Sequence, residues 1–89
     1  MRSYAAGGYV WNAGEAARHF TLIESGVVKI RRITPSGEAV VLGLFGPHEN
    51  IGVHAALERR EYPADARALT ETVEVLRVAA EPVLDLLST

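Results

Sequence analysis

The chain has 89 residues, 48% of them hydrophobic and 22% charged, a balance that fits one small folded domain and is too apolar for a disordered segment. A net charge of −2 supplies no basic surface, so no DNA contact is expected from this segment itself. The absence of cysteine removes disulfides, thiolate zinc sites, cysteine-ligated iron–sulfur clusters and cysteine nucleophiles, and the apolar runs fall far short of the roughly 20 residues that cross a bilayer. No membrane partner and a cytoplasmic location are the default expectation.

From Met1 to Val10 the pattern predicts a strand, a glycine turn at Gly7-Gly8 and a second strand, and Asn12-Ala13-Gly14 marks the next turn. Arg18 to Ser25 mixes aromatic, β-branched and apolar residues over strand length, and Ser25-Gly26 breaks it. Val27 to Ile33 alternates, with Val28 and Ile30 on a dry face and Lys29 and Arg31 on a wet one, so these two segments are expected to form a hairpin. Thr34-Pro35-Ser36-Gly37 is a β-turn. Ala39 to Phe45 is apolar throughout and is expected to be a central strand covered on both faces.

Gly46 to Asn50 turns the chain before Ile51, and Gly52-Val53-His54-Ala55-Ala56-Leu57 reads as a tight turn opening a single turn of helix. The free N–H groups of such a turn can hold an anion, which makes Gly52 to Thr70 the candidate site. Ala64, Ala66 and Ala68 share one face of a strand, leaving room beside them, and Thr72 to Val78 resumes strand chemistry. Glu81 to Leu87 predicts a helix with Pro82 at its first position and Val83, Leu86 and Leu87 against the sheet. Breaks recurring every 6 to 12 residues give the rhythm of an antiparallel barrel or sandwich; the expected fold is mainly β, a small jelly roll with a C-terminal helix.

His19, His48 and His54 raise the possibility of a metal, with His54 and Glu58 at i, i+4, but no His-x-His pair accompanies them and no metal is assigned. A small cupin-type metal enzyme, using His54, Glu58 and a second histidine, stands as the rival reading. No serine has a histidine beside it in a way that suggests a triad, so no catalytic residue is assigned. Arg59-Arg60, between Glu58 and Glu61, reads as a solvated tip of mixed charge, with a phosphate clamp as the sharper alternative. Trp11, Phe20 and Phe45 read as core residues.

The segments GEAARHFTLIESGVVKIRR, TPSGEAVVLGLFGPHENIG and HAALERREYPADARALTETVEVLRV together resemble the cyclic-nucleotide-binding sensor domain of the CRP/FNR family of bacterial transcription regulators, over nearly the whole chain. The resemblance implies a double-stranded β-helix, a non-enzymatic sensor role, a small-molecule effector, and a homodimer in the full-length protein. It also implies a dimerisation helix and a DNA-binding helix-turn-helix after the last residue here; residues 1–89 are expected to be one sensor domain, with Leu84 to Thr89 resembling the short helix that precedes the dimer helix.

In members that bind cyclic nucleotides, a glycine is followed by a glutamate that takes the ribose hydroxyl, and an arginine further on meets the cyclic phosphate. Gly52 matches the glycine, Val53 stands at the glutamate and Tyr62 falls nearest the arginine. The resemblance therefore places the cassette at Gly52, Val53, His54, Ala55, Arg60, Tyr62, Pro63 and Ala64, and implies one that has lost both key partners, since valine accepts no hydrogen bond and tyrosine carries no positive charge. Arg60 could substitute if the loop is shifted. His48 replaces the glycine usual in its turn; a turn accommodated at modest cost is the expected explanation, with haem ligation, known among gas-sensing members, disfavoured. No cofactor is expected.

Overall fold

The computed structural model describes residues 1–88. Eight strands form two four-stranded antiparallel sheets: β1 (Arg2–Ala5), β8 (Thr72–Ala79), β3 (His19–Ser25) and β6 (Asn50–Ile51) in one, and β2 (Tyr9–Trp11), β7 (Asp65–Ala68), β4 (Val28–Ile33) and β5 (Ala39–Phe45) in the other, each set in its spatial order. A five-residue helix, α1 (Val53–Leu57), links β6 to the loop before β7, and α2 (Ala80–Leu87) ends the described chain. The mainly β jelly roll with a terminal helix matches the sequence expectation.

The core lies between the sheets because alternate residues point inward. Ile23, Val28, Val73 and Val75 are fully buried, each contributing about 1.5–3 kcal/mol by leaving water. Ala64, Ala66 and Ala68 are buried together as their spacing suggested, and their small side chains let the 62–64 loop and β7 approach Trp11 closely.

Three expectations fail for identifiable reasons. The segments containing β3 and β4 do not form a hairpin; they belong to opposite sheets, β3 pairing with β8 and β6, and β4 with β5 and β7. Gly26 carries the chain across at φ 84°, where an added Cβ would lie 2.4 Å from the Thr72 carbonyl. The Val27 N–H donates to Thr70 Oγ1 at 3.0 Å and the Leu69 N–H to the Val27 carbonyl at 2.9 Å, which ties the crossing to the 69–72 turn.

Nor is β5 central: it is the edge of its sheet, paired only with β4, and Val41, Leu42 and Leu44 are more than half exposed. An uninterrupted apolar run has no period with which to tell an edge from a centre. Helix α2 starts earlier than expected, with Pro82 in its third position, still within the first turn where backbone N–H groups have no helical acceptor. Ala80 and Leu84, spaced i, i+4, form the face that packs against the core, whereas Val83, Leu86 and Leu87 are exposed. Thr89, in the expected 84–89 helix, lies outside the described residues.

Candidate functional site

Gly52 caps α1 from a left-handed conformation, φ 70°, with no side chain bonded to the helix start. Its place is set by two rings: an added Cβ would approach Trp11 Cη2 to 2.7 Å and Tyr62 Cε1 to 2.8 Å. Trp11 and Tyr62 stack with centroids 3.9 Å apart and planes within 5°. Trp11 Nε1 donates to the Ala64 carbonyl at 2.8 Å, fixing the indole to the loop that enters β7. The backbone holds Tyr62 from the other side: its N–H donates to the Glu15 carbonyl and its carbonyl accepts from Gly14, both at 2.9 Å.

The Tyr62 hydroxyl is buried without a hydrogen-bond partner among the described residues. Burial pushes it above its ordinary ionisation range, the nearby Arg77 charge opposes this, and Glu15 adds to it. Arg77 itself faces inward opposite Thr21, whose hydroxyl is also buried and has no partner among the described residues, and one of its terminal nitrogens lies 3.2 Å from His19 Nδ1.

Over the stack lies an open cleft of about 390 Å³. Six of the eight proposed cassette residues line it: Gly52, Val53, His54, Tyr62, Pro63 and Ala64. Ala55 is buried behind them, and Arg60 is outside it, lining a second cleft of about 480 Å³ between α1, residues 16–19 and the start of α2. Arg60 pairs with Glu58 at 3.3 Å, and Arg59 pairs with Asp85 of α2 at 3.2 Å, all four side chains being well exposed. Among the described residues no lysine, arginine or carboxylate lines the Val53–Tyr62 cleft. Trp11, Ile30, Leu42, Phe45, Asn50 and Ile51 complete its wall, none of them assigned to the site from sequence. They come from β2, β4, β5 and β6, and only tertiary pairing brings them together.

His19, His48 and His54 do not converge. His19 lines the second cleft, His54 the first, and His48 sits in the turn before β6 with φ 71°. Among the described residues no group of three or more histidines and carboxylates is placed to hold a metal ion. No described helix is long and apolar enough to cross a membrane.

The family model described as cyclic nucleotide-binding domain matches residues 1–89. Among solved structures, a protein of Ruegeria pomeroyi DSS-3 named for cyclic nucleotide binding superposes with a TM-score of 0.92 at 31% identity, covering 98% of this chain and 38% of its own. The catabolite activator protein of Thermus thermophilus gives 0.85 at 30% identity, over 98% of this chain and 40% of that one. The EAL enzyme Bd1971 in its cAMP-bound form gives 0.86 at 27% identity, over 99% of this chain and 23% of that one. The chain thus spans well under half the length of these neighbours. No curated protein sequence matches it.

Proposed function

The chain belongs to the cyclic nucleotide-binding domain family, and from that premise we propose that it is the effector-sensing domain of a CRP/FNR-type transcription regulator whose cassette does not hold a cyclic nucleotide. The observation that carries this reading is the Trp11–Tyr62 stack, which stands where the family resemblance asks for a phosphate-binding arginine. Tyr62 is neutral near physiological pH and offers the phosphate no charge, and Val53 offers the ribose no acceptor. Each missing hydrogen bond forfeits about 1–3 kcal/mol, and the phosphate loses its counter-charge as well. With no lysine or arginine in the described wall, no side-chain cation lining the cleft makes up for that loss.

The domain is read as regulatory and non-catalytic. DNA binding and dimerisation are assigned to the remainder of such a regulator, in keeping with a neighbour whose chain this domain covers only to 40%. The EAL enzyme neighbour, covered to 23%, shows the same fold within an enzyme chain, and a sensing role for the domain suits that setting too. Isothermal calorimetry with cyclic AMP and cyclic GMP tests the proposal: no saturable heat is expected, and micromolar binding of either nucleotide would overturn it.

A further inference from the structure

We propose that the cleft over the Trp11–Tyr62 stack binds an uncharged, flat, largely apolar effector of one or two rings. This names the ligand class for the site proposed above and rests on its reading as a cassette that no longer takes a cyclic nucleotide. The walls define the class. Trp11, Tyr62 and Phe45 contribute aromatic surface, and Ile30, Leu42 and Val53 contribute aliphatic surface. Ligand pockets of this kind span roughly 300 to 1,000 Å³, and the cleft, at about 390 Å³, sits at the small end, where one or two rings fit.

No cation stands in the described wall: Arg31 hydrogen-bonds the Tyr9 hydroxyl at 3.3 Å and lies 3.9 Å from Asp65, Arg60 pairs with Glu58, and Arg77, whose charge reaches Tyr62, does not line the cleft. A charged ligand would give up its hydration for apolar walls without a counter-ion, so charge is selected against. Besides the buried Tyr62 hydroxyl and the Trp11 N–H already bonded to Ala64, the polar side chains of the wall are Asn50 and His54, both exposed, which suits a single hydroxyl or carbonyl at one end of the ligand.

The platform is built before any ligand arrives. The indole is anchored through its N–H to Ala64, and the absence of a side chain at Gly52 lets the backbone lie against both ring edges. Binding then orders little that is not already ordered. Leu42, 51% exposed on an edge strand, is a wall residue left in water, and a ligand laid against it would cover that apolar surface.

Trp11 is the only tryptophan, so its indole N–H resonance in a ¹⁵N-labelled domain reports from the wall itself. The probes, at pH 7, are 2-naphthol and 2-naphthoate, alike in shape and different in charge, together with cyclic AMP. Expected are a saturable shift with 2-naphthol, affinity for 2-naphthoate at least tenfold weaker, and no shift with cyclic AMP. Leu42→Glu, a change at an exposed position, should weaken 2-naphthol at least tenfold while leaving the rest of the spectrum folded. Absence of a saturable 2-naphthol shift, equal affinity for the naphthoate, or unchanged binding by the Leu42→Glu variant would each overturn this inference and leave the proposed loss of nucleotide binding standing. Saturable cyclic AMP binding would instead remove the proposed function on which it rests.

Discussion

His48 holds a left-handed backbone, φ 71°, in the turn between β5 and β6, and its N–H donates to the Ile23 carbonyl at 2.7 Å. The departure from glycine was visible in the sequence, and the strain it implied is present. A left-handed residue with a side chain costs roughly 1–2 kcal/mol relative to glycine, partly offset by glycine's greater freedom when unfolded. His48→Gly should therefore stabilise the domain by about 0.5–1 kcal/mol, read as a raised midpoint in urea with unchanged slope. His19 gives a second test at the same scale. Burial first, then the Arg77 and Arg2 charges, lower its pKa below 6.5. On acidification the unfolded chain takes up the proton before the folded one does, so the contribution is full above pH 6.5 and is lost as pH falls through the lowered value. Stability should thus decline from pH 7 into the acid range, and His19→Gln should flatten that part of the profile; an unchanged profile would contradict it.

At the scale of elements, the turns were legible and the partners were not. Gly52, Gly37 and Gly26 announce bends through their composition alone, and the structure turns at each with positive φ. Whether two strands pair across a bend depends on contacts with distant chain, and at Gly26 those contacts come from Thr70 and Thr72, more than 40 residues away. The all-apolar β5, expected at the centre, and α2, expected to bury Val83, Leu86 and Leu87, fail for the same reason, since orientation depends on neighbours that a local pattern does not name. The start of α1 is where local geometry and site depend most on each other. Gly52→Ala adds a Cβ in a left-handed conformation and drives it against the Trp11–Tyr62 pair. The backbone penalty and the overpacking sum to about 2–4 kcal/mol. Chemical denaturation should show that loss, with near-ultraviolet dichroism of the stacked rings disturbed as well.

For the molecule as a whole, the jelly roll was readable from the spacing of its breaks and from the resemblance, and so was half of the lining of the candidate cleft. Gly52, Val53, Tyr62 and Ala64 do meet around one cleft. Its other half was hidden, since Trp11 reaches Ala64 across 53 positions and Leu42 and Phe45 arrive on an edge strand whose placement was misjudged. Arg60, offered by sequence proximity as a substitute, belongs to the other cleft, because the turn after α1 carries it past the site before Tyr62 enters.

On the proposed reading, the cyclic-nucleotide scaffold persists and the side chains at positions 53 and 62 separate it from cyclic-nucleotide binding. Calorimetry of cyclic AMP with the unaltered domain and with the Val53→Glu/Tyr62→Arg double variant, checked for folding by far-ultraviolet dichroism, tests it most directly. The unaltered domain should be silent, and the folded variant should gain saturable binding at least tenfold tighter than any residual affinity of the parent. An unaltered domain that binds cyclic AMP as tightly as the variant does would contradict it.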